Sequence, residues 1–221
     1  MTKNEFNEKF RAYARTLSPQ QSERDLIAKI YKSLTDILGI NNCIQIGSYP
    51  RFTSITPVHD LDVLYILGEW DVINNPGDAL QALKNFLEME YENPTESRMI
   101  ISLQTHSVTI AFSNNNEEKL SIDIVPAYIF GANKFQQDMY KVPEIIKEKK
   151  HGRRKLLYEN IKNENRDIRW IKTDPRGYIK VASEIDNRTD GEFRKTVKFI
   201  KKWSKSLKQD DSALALKSFH V

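Results

Sequence analysis

Apolar residues recur at helical spacing near the N-terminus, where Phe6, Phe10, Tyr13 and Leu17 lie four, three and four positions apart. That is the stripe of an amphipathic helix. Ser18 and Pro19 then read as the N-cap and first-turn proline of a second helix reaching about Leu38, with Leu26, Ile27, Ile30, Leu34 and Ile37 on its inner face. Asn41 and Asn42 make a turn into a short strand at 44–46, and the run at 61–67 reads as a mostly buried strand. A helix is predicted over 77–91 with Leu80, Leu83, Phe86 and Leu87 inward, followed by strands near 99–103, 107–112 and 120–125. Asn114, Asn115 and Asn116 supply a hairpin turn between the last two. From Gly131 to about Ile179 the pattern weakens, with short apolar stretches around Pro143, a basic run and WIKTDPRGYI. Helix resumes from Tyr178, and FRKTVKFIKKWSKSL places Val197, Ile200, Trp203 and Leu207 on one helical face. The prediction is a mixed α/β (α+β) core with a mixed central sheet, and neither repeats nor low-complexity segments are present.

Within that pattern, charge falls where it is expensive. Asp60 and Asp62 flank Leu61 at the head of the apolar run, and an ionised carboxylate buried without compensation costs several kcal/mol. Residues i and i+2 of a strand share a face, with Cα atoms roughly 6.5 Å apart, so the two carboxylates can converge on one cation. Asp123, between Ile122 and Ile124 in SIDIVPAY, offers a third carboxylate from another strand. An all-oxygen set without His or Cys favours magnesium, with manganese as the alternative. Two such ions can activate an attacking hydroxyl and neutralise the leaving phosphate oxygens, the arrangement for in-line phosphoryl or nucleotidyl transfer. Gly47 and Ser48, just ahead of the aspartates, form a turn whose backbone and hydroxyl can meet a polyphosphate. Taken singly, each residue has a plainer role: Asp60 could cap a turn, Asp62 pair with Arg51, and Asp123 solubilise an edge strand.

Composition narrows the class. With 221 residues, 39% apolar and 29% charged, the chain is long enough for one large domain or two small ones around a real core. No apolar run approaches the roughly 20 residues of a membrane span, and MTKNEFNEKF lacks the apolar stretch of a signal peptide, so the expected location is the cytosol, away from membranes. The single cysteine, Cys43, excludes an intrachain disulfide and a Cys-rich zinc site. A net charge of +4 is concentrated in KEKKHGRRK and RKTVKFIKKWSKSLK, basic surfaces suited to a nucleic-acid or protein activator.

The Gly-Ser turn, the following Asp-x-Asp and the later isolated Asp resemble the DNA-polymerase-beta-like nucleotidyltransferases. GSYPRFTSITPVHDLDV, SIDIVPAY, the linker-like YKVPEI, WIKTDPRGYI, KFIKKW and KSFHV together resemble one branch, the bacterial CD-NTases of CBASS anti-phage systems, which are similar to cyclic GMP-AMP synthase and oligoadenylate synthase. The resemblance spans nearly the whole chain. It implies a nucleotidyltransferase core at 21–178, an N-terminal helix at 1–20 packed on a second lobe, and the start of that helical lobe at 179–221, cut short inside a helix at KSFHV. It also implies two Mg2+ ions on Asp60, Asp62 and Asp123, and phosphate binding by Gly47 and Ser48. Lys201 matches the helix lysine that contacts the donor triphosphate, with Lys202 beside it as the alternative. Ser218 and Phe219 resemble a Ser-Tyr pair that touches phosphate and stacks on a base; Phe keeps the stacking face and loses the hydroxyl. The implied reaction joins NTPs, ATP and one or more of GTP, UTP or CTP, into a cyclic di- or trinucleotide with release of pyrophosphate. Two alternatives remain open: an RNA-tailing or CCA-adding transferase, and a nucleotide- or RNA-binding module that has lost catalysis. Apolar Leu214, Leu216 and Phe219 are expected to stay uncovered if the helical lobe is incomplete.

Overall fold

The computed structural model describes residues 2–68, 75–114, 117–145 and 168–217, excepting the side chains of 117, 118, 145 and 208–217. Helices α1 (Lys3–Thr16) and α2 (Gln21–Leu38) lead through a 3₁₀ turn at Ile40–Asn42 into β1 (Cys43–Ile46) and β2 (Asp60–Ile66). Helix α3 (Pro76–Glu90) precedes β3 (Arg98–Leu103), β4 (Val108–Asn114), β5 (Glu117–Ala132), β6 (Asp138–Ile145) and β7 (Ile168–Thr173). Helices α4 (Pro175–Arg188) and α5 (Glu192–Lys217) close the described chain. The strand order is β1-β2-β5-β4-β3, and β6 pairs with the far half of β5 and with β7. β2 runs parallel to β5, and the other pairings are antiparallel. This is the expected mixed sheet and helices.

One sheet face is dry. Leu61 and Val63 of β2, Ile110 and Phe112 of β4, and Ile122 and Ile124 of β5 pack against Ile27, Ile30, Leu34 and Leu38 of α2 and Leu80, Leu83 and Leu87 of α3. Each such fully buried side chain contributes about 2 kcal/mol. Strand alternation then forces Asp60, Asp62 and Asp123 onto the opposite face, shared with a smaller cluster around Leu64, Ala127 and Tyr140. Cys43 is a buried strand residue whose thiol burial pushes its pKa up to about 11.

Helix α1 lays its aromatic stripe on α5, with Phe10 and Tyr13 centred 5.5 and 6.1 Å from Phe199, and Arg11 Nε donates to Glu192 at 2.8 Å. Several expectations are corrected. α2 starts at Gln21, its first turn closed by the Glu23 carboxylate accepting from the Gln20 N–H; Ser18 instead receives Lys198 Nζ at 2.8 Å. Leu26 and Phe86 sit at the margins of their helical stripes and are exposed. The linker-like YKVPEI is strand: it lies inside β6, where Pro143 is beyond the stretch paired with β5 and costs no ladder bond on that side. Residues 115 and 116 of the Asn turn lie outside the described residues, but β4 and β5 pair up to Asn114↔Glu117, as a hairpin does. Among the described residues, no helix is long and apolar enough to cross a membrane.

Candidate active site

Register sets the geometry of the acidic face. The parallel ladder places Asp62 of β2 directly opposite Asp123 of β5, and the antiparallel ladder places Asp123 opposite Thr109 of β4. Asp60 stands opposite Ser121. β5 is flanked on both sides, so Asp123 is no edge-strand solubiliser. Burial is the chief cause pushing the Asp62 carboxyl above the ordinary carboxylate range; the facing Asp123 and Asp60 add to it, and Arg51 and His106 oppose it.

Hydrogen bonds aim each acid. Thr109 Oγ1 donates to Asp123 Oδ1, and Ser121 Oγ donates to Asp60 Oδ1 at 3.3 Å and to the His59 carbonyl at 3.2 Å. The Asp62 carboxylate is tucked against Gly47. With the side chains so directed, no group of three or more His, Cys, Asp or Glu among the described residues is gathered tightly enough to hold a metal ion. The donor set nonetheless suits a hard divalent cation: three carboxylates on neighbouring strand positions, one of them, Asp62, kept from ionising easily by burial and then by the other two.

The turn after β1 is tight by necessity. Gly47 has φ +72°, and a Cβ there would meet the Asp62 carboxylate, 2.7 Å from its Cγ. The Ser48 carbonyl accepts from Thr53 N at 3.0 Å, and Arg51 Nε donates to the Gly47 carbonyl at 2.6 Å. Arg51 therefore serves the turn, and the plainer reading in which it pairs with Asp62 does not hold: no Arg51–carboxylate ion pair occurs among the described residues.

Ser48 and Asp60 open into a cavity of about 450 Å³, with His59, Ser54 and Pro57 on one wall and Ile200, Lys201, Ser204 and Lys205 of α5 on the other. Lys201 faces this space; Lys202 is not part of its lining. Burial, followed by the charges of Arg51 and Lys205, holds the Lys201 ammonium below its usual pKa, with Asp62 and Asp60 pulling the other way. The structure thus brings together Gly47, Ser48, Asp60, Asp62, Asp123 and Lys201. Ser218 and Phe219 lie outside the described residues, as do the basic run at 147–155 and the side chains of Leu214 and Leu216.

Sequence reasoning missed Thr109, Lys205 and, above all, Arg194. Lys205 was legible as i+4 from Lys201 on the same helical face. Arg194 carries no local signal, yet it ties the turn to α4 and α5. Its Nε donates to the Arg51 carbonyl at 3.0 Å, Nη1 to Asp186 Oδ2 at 3.0 Å and Nη2 to Ser183 Oγ at 3.0 Å, while its guanidinium lies 4.9 Å from the Phe52 ring centroid. Arg194→Ala would leave the buried Asp186 carboxylate without its ion-pair partner. A stability loss of about 2 kcal/mol is expected in urea unfolding, because a charge stripped of its buried partner keeps its desolvation cost. Arg194→Lys should recover only part of it, since an ammonium cannot reproduce the planar fork.

No protein-family profile matches the chain. It is 22% identical over 204 residues to a protein of Bacillus cereus (strain VD146) described as a probable cyclic nucleotide synthase, a match covering 80% of this chain and 54% of that protein. The solved structure of CdnC from E. coli MS115-1 with ATP has a TM-score of 0.57 and 18% identity, covering 91% of this chain and 58% of that one. The Elizabethkingia meningoseptica CdnE cyclic dinucleotide synthase, solved with GTP and Apcpp, has a TM-score of 0.55 and 14% identity, covering 92% and 68%. The chain therefore spans about half the length of the curated relative it matches. It has the nucleotidyltransferase fold of the CD-NTases, the group that its sequence resembles.

Proposed function

We propose that this chain is the nucleotidyl-transferring part of a cyclic-nucleotide synthase of the CD-NTase kind. The observation that carries the reading is the register of β2 and β5, which sets Asp62 beside Asp123 on the face occupied by the Gly47–Ser48 turn. In this reading Asp60, Asp62 and Asp123 hold two Mg2+ ions, with Mn2+ able to substitute. The metals supply charge neutralisation at the phosphates and activation of the attacking ribose hydroxyl. Gly47 lets the turn backbone approach the triphosphate, and Ser48 adds a hydroxyl donor. Lys201 and Lys205 balance the phosphate charge that the metals leave over. Thr109 holds the Asp123 carboxylate in place.

Substrates are NTPs, ATP with one or more of GTP, UTP or CTP, and the products are a cyclic di- or trinucleotide and pyrophosphate. Ser218 and Phe219 contribute phosphate and base contacts. The setting is cytoplasmic anti-phage defence, with activation through a protein or nucleic acid at the basic surfaces.

The test is incubation with α-labelled NTPs and Mg2+, with and without RNA. Short phosphatase-resistant products in the absence of RNA support the proposal, whereas label appearing only on added RNA would establish a tailing enzyme. In the same assay Lys201→Ala is expected to raise the KM for the NTP by about 10- to 100-fold, the worth of one charge-assisted contact to phosphate. Its kcat should fall less.

A further inference from the structure

Phe52 is held where a bulky residue rarely goes. Its φ of +58° lies in the left-handed region, yet its side chain is 63% exposed, so burial of the ring does not fix that conformation. Backbone in a sparsely populated region persists only when its surroundings determine it, and such positions cluster at functional sites. Here the determining group is Arg194. The peptide between Arg51 and Phe52 is pinned at both ends, its N–H donating to the Tyr49 carbonyl at 2.9 Å and its carbonyl accepting from Arg194 Nε at 3.0 Å. The same guanidinium lies 4.9 Å from the Phe52 ring centroid. φ is the rotation between that peptide and the Cα that carries the ring, so one side chain holding both holds φ.

Arg194 can serve as an anchor because it is itself fixed. Nη1 donates to Asp186 Oδ2, Nη2 to Ser183 Oγ and the Arg194 backbone N–H to Asp186 Oδ1, each at 3.0 Å. The constraint passes to the turn through the neighbours of Phe52. Arg51 returns its own Nε to the Gly47 carbonyl at 2.6 Å, and Thr53 donates its N–H to the Ser48 carbonyl at 3.0 Å. Lys201 follows Arg194 by seven residues on α5, about two turns along the same face. It lines the cavity together with Ser48.

We propose that Arg194 is a positioning residue for nucleotidyl transfer: by holding Phe52 left-handed it keeps the Gly47–Ser48 turn in the shape, and at the separation from Lys201, that the NTP triphosphate meets. This role rests on the phosphate binding proposed for Gly47, Ser48 and Lys201. Arg194 acts through the turn and does not touch the substrate. Glycine adopts positive φ without steric cost, so Phe52→Gly should relieve the turn of its need for Arg194.

The experiment measures transfer with α-labelled ATP as the varied substrate, and urea unfolding, in the wild type and in Arg194→Ala and Arg194→Lys, each alone and combined with Phe52→Gly. Arg194→Ala is expected to raise the KM for ATP about tenfold. A merely structural loss would lower the folded fraction, and with it the apparent kcat, while leaving KM unmoved. Adding Phe52→Gly should return KM to within about threefold of the wild type. The double variant should remain less stable than the wild type, because Asp186 still lacks its ion-pair partner. Arg194→Lys keeps a positive charge beside Asp186 but cannot both stack on Phe52 and bond the Arg51 carbonyl, so its KM should rise too. That pair carries the test if Arg194→Ala does not fold. The proposal is overturned if KM stays within about twofold of the wild type in the single variants, or if Phe52→Gly does not lower the raised KM. A wild type without transfer activity would overturn the nucleotidyl-transfer reading and the positioning role together, whereas an active wild type with unmoved KM in the variants overturns the positioning role alone.

Discussion

Asp62→Asn is expected to lower nucleotidyl transfer by about a thousandfold or more while raising the melting temperature of the metal-free protein. The two effects share one cause. Asp62 is held among burial, Asp123 and Asp60, all of which disfavour its negative charge. That charge is useful only when a cation arrives, and losing one anchor of a two-metal site is worth on the order of 4 kcal/mol in the transition state. Asparagine keeps the shape and removes the repulsion, so the apo fold gains.

The pH dependence has a definite sign. The folded-state pKa of Asp62 lies above its unfolded value, so the group's contribution to stability is fully present below the ordinary carboxylate range and is lost as pH rises through the raised folded value. Melting curves of the metal-free wild type should therefore fall across that window relative to Asp62→Asn. Added Mg2+ or Mn2+ should raise the wild-type curve and leave the variant unmoved, because only the wild type binds the ion in its folded state. If the variant melts lower than the wild type without metal, the crowded-carboxylate reading of this face fails.

Gly47→Ala is expected to cost about 3 kcal/mol of stability and to remove activity together with it. The left-handed backbone at φ +72° charges any side chain roughly 1 to 2 kcal/mol. The new methyl would also press on the Asp62 carboxylate, an overpacking worth a further 1 to 3 kcal/mol. Relief requires moving either the turn or the aspartate, and both belong to the proposed site. Ser48→Ala is the control. It should leave urea unfolding nearly unchanged, since the turn is held by the Ser48 carbonyl and not by its hydroxyl, and weaken NTP binding about tenfold. Equal loss of stability in the two variants would show that the turn matters only as structure.

The acidic strands were legible because a period-2 pattern fixes the face of each residue without any tertiary information. Leu61 and Val63 inward put Asp60 and Asp62 outward, and the same step applied to Ile122 and Ile124 places Asp123. Pairing could not be read so directly, yet it is the parallel β2–β5 register that sets Asp62 beside Asp123. The β6–β7 extension of the sheet escaped because β6 carries Pro143, and because the pairing of β5 with β6 is interrupted by an irregularity between Ile129 and Gly131, so neither β6 nor the far half of β5 shows a clean strand pattern. Helix boundaries depended on single bonds: Glu23 closes the first turn of α2 on Gln20, which displaces the Ser18–Pro19 reading by two residues. Arg194 was invisible for a different reason. Its partners Ser183, Asp186 and Arg51 come from α4 and from a loop over 140 residues away, so its role exists only once those elements have packed together.

The most direct test is diffraction from crystals of the protein grown with Mn2+ and a non-hydrolysable NTP, with data recorded at the manganese absorption edge. The account predicts anomalous peaks coordinated by Asp60, Asp62 and Asp123, with the three carboxylates turned from Ser121, Gly47 and Thr109 toward the ions. It also predicts the triphosphate lying over Gly47 and Ser48 within reach of Lys201. Manganese bound away from these carboxylates, or a triphosphate seated elsewhere on the molecule, would contradict it.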